Sequence, residues 1–186
     1  MGESANTGGN RSDGAPRTGE SDPSEASGGL DRRRVLTLLA GAVLVNVVGA
    51  TPAILAGPDS AWFQSLAKPG IYPPPWVFGV VWTLLFTLLG IALALVWLDA
   101  RGTRAGKVAL GLFAAQMVLN VAWTPAFFAA ENLLAGLVVI VALWPAVLAT
   151  ILAFDRVDRR TAALLVPYLA WVTFAAVLNY RFWALN

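Results

Sequence analysis

Residues 74–98 read PPWVFGVVWTLLFTLLGIALALVWL, twenty-five positions without an acid or a base. A helix rising about 1.5 Å per residue crosses a hydrocarbon core of about 30 Å within some twenty residues. Four further apolar runs, 35–56, 106–130, 133–154 and 161–185, have the same character. Lys107 at the head of the third and Arg181 one turn from the end of the fifth are their only acidic or basic side chains. In lipid every backbone polar group must be satisfied within its own segment, which selects helices. A barrel strand would alternate over about ten residues, and these runs do not alternate. The sequence therefore predicts an all-α membrane protein, a five-transmembrane-helix bundle over 34–186.

Residues 1–33 precede it as a tail, with seven glycines and no aromatic residue among the first thirty positions. Such a segment buries too little to offset its ordering entropy and is expected to be disordered. Arg32-Arg33-Arg34 before an apolar run resembles an export signal. The run is of spanning length and no A-x-A-like site follows, so it is read as a membrane helix.

The loops set an orientation. Nine cations (Arg32, Arg33, Arg34, Arg101, Arg104, Lys107, Arg156, Arg159, Arg160) fall on one side if the helices alternate. The other side holds Lys68 in a long loop, residues 57–73, and Arg181. The positive-inside rule then predicts a cytoplasmic N-terminus and an outside C-terminus. The net charge of +2 comes from these short loop clusters, so no nucleic-acid partner is expected. The chain has no histidine and no cysteine, which removes the commonest general base, thiol nucleophiles and the usual haem and zinc ligands. No metal site is predicted.

The eight tryptophans all lie beyond residue 60. Trp62, Trp76, Trp97 and Trp183 sit near run ends, where an aromatic belt forms. Trp82, Trp123 and Trp171 lie well inside their runs, where an indole N–H needs a partner, in the bundle or on a ligand. Gln116, Asn120, Trp123 and Phe127 follow i, i+4, i+7, i+11 and share one helix face. Amides facing lipid are costly, so this stripe points inward, either to bond neighbouring helices or to hold a ligand. Phe78, Trp82 and Phe86 form an aromatic stripe on the second run, and Tyr168, Trp171, Ala175 and Leu178 form one on the fifth. Three such faces, with small residues between, suit either plain packing or a slot for a large flat molecule. Pairs of small residues four apart, Gly90/Ala94 and Gly111/Ala115, permit close helix approach or a dimer contact. The proline-rich loop, with Trp62, Lys68 and Tyr72, reads as a lid or an interfacial anchor.

Several of these stretches together resemble the TspO/MBR family of tryptophan-rich sensory proteins and translocator (peripheral benzodiazepine receptor) proteins. They are Leu66-Ala67-Lys68-Pro69, Pro73-Pro74-Pro75-Trp76-Val77-Phe78-Gly79, Val81-Trp82-Thr83, Gln116 to Trp123, Phe127-Phe128 and Pro167 to Ala175 with Leu178-Asn179. The resemblance implies a receptor or sensor, often a homodimer, binding protoporphyrin IX, haem and other hydrophobic ligands beneath the first loop, with no obligatory cofactor. It places Trp82, Asn120, Phe127 and Trp171 in the cavity and Trp62, Lys68 and Tyr72 at the loop. It makes Trp82 and Trp171 the catalytic pair if porphyrin is broken down in light, and passive transport of tetrapyrroles or lipids a further alternative. A prokaryotic plasma membrane is the expected location. Two departures stand out. Ala135 occupies a family tryptophan position and is expected to widen one wall, and Tyr180-Arg181 lacks the spacer of the sterol motif.

Overall fold

The computed structural model describes Gly2, residues 31–55 and residues 57–186 (of Ile54 and Leu55, the backbone only). The tail expected to be disordered lies outside the described residues but for Gly2 and Asp31 to Arg33. The elements are α1 (Arg32–Leu55), α2 (Ala61–Ser65), α3 (Pro75–Ala100), α4 (Arg104–Thr124), a π-helical turn (Pro125–Ala129), α5 (Leu133–Asp155), α6 (Arg159–Ala163) and α7 (Val166–Leu185). There is no strand among the described residues. Five stretches are long and apolar enough to span: Arg32–Ala53, Pro75–Ala100, Arg104–Ala129, Leu133–Asp155 and Arg159–Leu185. Each expected run is there, shifted by a few residues at its ends.

Polar caps define the wet ends. Thr103 Oγ1 accepts from the Gly106 amide at 3.0 Å, Asn132 Oδ1 from Ala135 at 2.9 Å, and Asp158 Oδ2 from Thr161 at 2.8 Å. These satisfy amides that a helix start otherwise leaves bare. Prolines interrupt two spans. Pro125 brings a wide turn in which Ala130 N–H reaches back five residues to the Pro125 carbonyl at 2.9 Å. Pro167 lacks the N–H that would continue α6 into α7, so a tight turn at Leu164–Leu165 separates them.

α1 packs on α3, α4 on α5, and α5 on α7. The α1–α3 contact is nearly backbone to backbone. A Cβ on Gly90 would stand 2.3 Å from the Gly41 carbonyl oxygen, and one on Gly41 would stand 2.5 Å from that of Gly90. Gly90/Ala94 is thus a contact within the chain, while Gly111 and Ala115 face outward. Further along α1, Gly49 meets the ring of Phe86, and Ala50 and Ala53 beyond it border the same space as Gly79 and Thr83 of α3. The outer face of α1 presents Leu36, Leu39, Val43, Leu44 and Val47. At the basic end, Arg34 pairs with Asp99 at 3.3 Å, which sets the start of α1 beside the end of α3.

Candidate ligand cavity

At the other end, beneath the long loop, the bundle encloses a cavity of about 370 Å³ to which all five spans contribute. Its construction follows from ring packing. On α3, Trp82 stacks on Phe86 (centroids 5.1 Å apart, planes at 29°). Across the cavity Trp171 stands edge-on to Trp82 at 6.5 Å and 89°, and to Phe78 at 5.9 Å. On α4, Trp123 stacks on Phe127 at 5.2 Å and 27° and donates its indole N–H to Asn179 Oδ1 at 3.1 Å. The π-helical turn brings both Phe127 and Phe128 to the same end, and Gly136 of α5 leaves room for the Phe127 ring.

Behind this wall runs a buried polar relay. Asn120 Nδ2 donates to the Tyr168 hydroxyl at 2.9 Å, and that hydroxyl donates to Gln116 Oε1 at 3.0 Å. The relay ties α4 to α7 at mid-depth, where an unpaired amide would cost more than in water. Among the described residues two buried donors have no partner within the protein, Gln116 Nε2 and Trp171 Nε1. Trp171 borders the cavity with its ring, while its Nε1 is itself covered by neighbouring protein atoms.

The roof is an aromatic cluster of Phe63, Phe127 and Phe182, all nearly fully buried, with Tyr72 and Phe128 packed on it. α2 exists because Ser60 caps it, its Oγ accepting from the Phe63 amide at 3.2 Å, and this turn drives Phe63 inward. The Lys68 ammonium donates to the Phe63 carbonyl and lies 3.8 Å above the centre of the Phe63 ring. Partial burial lowers the Lys68 pKa and raises that of Tyr72. The Asn186 side chain accepts from the Ala67 amide at 2.8 Å and donates to its carbonyl at 3.3 Å, pinning the loop to the end of α7.

Of the residues singled out from sequence, Tyr72, Phe78, Trp82, Phe86, Asn120, Trp123, Phe127, Trp171 and Ala175 line the cavity. Gln116 and Tyr168 stand behind it, and Trp62 and Lys68 do not reach it. The Trp62 ring sits edge-on to Phe127 at 5.7 Å rather than in an outer belt, whereas Trp76, Trp97 and Trp183 do stand exposed at helix ends. Ala135 itself does not border the cavity; α5 contributes Ile140 and Leu143 to the wall. Sequence reasoning missed Phe63, Phe128, Phe182 and the α1 residues Asn46, Gly49, Ala50 and Ala53. A signal was present for α1: Asn46 is the one amide in that run, and Ala50 and Ala53 follow it at helical spacing.

The TspO/MBR family profile matches residues 40–184, from the first span to the last. The chain belongs to the TspO/MBR family. It is 41% identical over 157 residues to a tryptophan-rich protein TspO of Chlorobaculum tepidum, covering 83% of this chain and 98% of that one. It is 41% identical over 138 residues to protein CrtK of Rhodobacter capsulatus (74% of this chain, 85% of the relative). Identity to the translocator protein of Homo sapiens is 40% over 131 residues, 70% of this chain and 78% of the relative. In this TspO/MBR chain the four positions that the resemblance marks, Trp82, Asn120, Phe127 and Trp171, border one shared space.

Proposed function

We propose that this TspO/MBR protein is a membrane receptor that holds a porphyrin, protoporphyrin IX or haem, between its aromatic walls. The observation that carries the reading is the convergence of Trp82 and Trp171, from separate helices, on a cavity whose other large side chains are mostly aromatic rings, with Ile140, Leu143 and Leu178 among them. A macrocycle burying a few hundred square ångströms gains several kcal/mol at about 25 cal/mol per Å² before ordering costs. Indole faces add stacking. Asn120 and Asn179, both on the cavity wall, supply the few polar groups that orient a ligand in an apolar site. Lys68 lies just outside the roof, and a propionate reaching it takes the place of the Phe63 carbonyl as its partner. With no histidine or cysteine in the chain, the ring and not the iron is the feature recognised.

The remaining parts of the reading are a cytoplasmic N-terminus in a prokaryotic plasma membrane and a homodimer. Light-dependent breakdown of the bound ring is the second reading, favoured by the edge-on Trp82–Trp171 pair beside the ligand space. Protoporphyrin titration followed by tryptophan fluorescence tests binding. Saturable quenching is expected in the wild type, with affinity weakened roughly fivefold in Trp82→Phe for the loss of about 1 kcal/mol of stacking. Equal quenching in both proteins removes Trp82 from the site, and none in either ends the proposal. Illuminating the complex of wild type and Trp171→Phe tests the photochemistry: identical, unchanged spectra leave binding alone.

A further inference from the structure

The cavity has two boundaries of opposite kind. Toward water it is roofed: the ring cluster of Phe63, Phe127 and Phe182 fills the roof, Lys68 and Asn186 fasten the loop over it, and among the described loop residues Pro58 alone, at the α1 edge, is both on the wall and exposed. Toward the side it is not. Ala50 and Ala53 of α1 and Pro75, Gly79 and Thr83 of α3 all border the cavity and are all exposed on the outer surface of the bundle. A residue that is at once on the cavity wall and on the outer surface marks an opening.

The cause lies in the α1–α3 crossing. The backbones touch at Gly41 and Gly90, near the middle of α3, and the Phe86 ring wedges against Gly49 one level higher. From that wedge onward the described α1 side chains on the cavity are small, Ala50 and Ala53, and α3 answers with Gly79, whose missing Cβ would meet nothing within 4 Å. The lips are also chemically quiet. Thr83 Oγ1 donates to the Gly79 carbonyl at 2.8 Å, and Asn46 Nδ2 donates to the Ala42 carbonyl at 2.9 Å and to Thr87 Oγ1 at 3.0 Å. With these donors engaged, along their own helix or, for the second bond of Asn46, across the α1–α3 crossing to Thr87, the gap faces the hydrocarbon chiefly with methyl and methylene groups.

We infer that the cavity is loaded sideways from the bilayer, through the gap between α1 and α3, by a planar amphiphile already dissolved in the lipid. This rests on the binding reading above and adds the route and the phase from which the ligand comes. A molecule of that kind partitions into membrane before it meets the protein, so a lateral gap samples a far higher ligand concentration than a loop facing water.

The test is the rate of tryptophan quenching by protoporphyrin IX added in phosphatidylcholine vesicles to protein reconstituted in the same lipid, with release measured by dilution into empty vesicles. Gly79→Phe fills the gap, Ala53→Phe repeats the test from the opposite lip, and Val118→Phe adds the same bulk on an exposed site of α4. The chain has no cysteine, so Ala67→Cys/Asn186→Cys joined by a short bifunctional thiol reagent fastens the roof alone. Association and release are expected to slow together at least tenfold in Gly79→Phe and Ala53→Phe, and to stay within twofold of wild type in Val118→Phe and in the fastened roof. Quenching in the wild type with unchanged rates in both plugged variants overturns the lateral route, as does a fastened roof that slows exchange tenfold. No equilibrium quenching in the wild type overturns the binding reading, and the route with it.

Discussion

Replacing Gly90 by alanine probes the crossing on which both the bundle and the lateral gap depend. The added Cβ would lie 2.3 Å from the Gly41 carbonyl oxygen and 2.5 Å from the Ala42 Cα, whereas ordinary contact begins at 3.4 Å. Both neighbours are backbone, so no rotamer change relieves the clash. The helices must separate by about an ångström, which forfeits a quarter to a half of the dispersion energy along the seam. In lipid no hydrophobic term offsets that loss, because separated helices meet acyl chains instead of water. Overpacking at such contacts costs typically about 1–3 kcal/mol, and an unyielding backbone contact belongs at the upper end. The assay is equilibrium unfolding in mixed micelles against the mole fraction of sodium dodecyl sulfate, followed by tryptophan emission. Gly111→Ala is the matched control: its Cβ would meet nothing within 4 Å, so its midpoint should stay within about 0.5 kcal/mol of wild type. Gly41→Ala should cost a similar amount to Gly90→Ala, and the double variant less than their sum, since one separation relieves both clashes. A Gly90→Ala protein as stable as Gly111→Ala would refute the crossing.

Tyr168→Phe leaves Asn120 and Gln116 facing each other without the hydroxyl that joins them. At about 0.6–1 kcal/mol for each interhelical bond in a membrane, the same unfolding assay should show a loss of roughly 1–2 kcal/mol, and an unchanged midpoint would break the relay. Asp158 caps α6, and its carboxyl is held below the ordinary carboxylate range chiefly by the Thr161 hydroxyl and then by the Thr161 amide. Its folded pKa is depressed, so the capping contribution is complete above the unfolded value of about 3.9 and is lost as pH falls through the lower folded value. The Thr161 amide shift, followed by NMR, should titrate with a midpoint below 3.9; a midpoint at or above that value contradicts the cap.

The spans were legible because bilayer thickness imposes one length on any helix that crosses it, and five runs met that length. Their interruptions were less so. Pro125 and Pro167 were visible as residues, but proline inside a span is compatible with a kink, a wide turn or a clean break, and neighbouring helices decide among them. α2 is only five residues long and carries no periodic signal, so the inward turn of Phe63 was hidden behind a Ser60 cap that also fits a plain loop. Trp62 and Lys68 lie in the same loop, and where a loop side chain points is decided by what it lands on. Lys68 found a carbonyl and two ring faces, Phe63 and Phe182, rather than the cavity.

The polar stripe of α4 shows how one sequence pattern divides into two roles. Gln116, Asn120 and Trp123 share a face, and spacing alone left structural bonding and ligand contact equally open. Depth separates them. Gln116 lies where α4 and α7 are close enough for Tyr168 to bridge, so it is spent on holding the helices together. Asn120 sits at the boundary, bonded to Tyr168 and open to the cavity, and Trp123 is turned to Asn179 while its ring forms wall. Trp171, on the facing helix, has no such partner for its N–H. A buried donor left unpaired costs free energy that packing must offset, and well-packed proteins keep few of them. Its ring nonetheless borders the cavity, so the indole contributes there as wall, through its faces and edges, and not through its N–H.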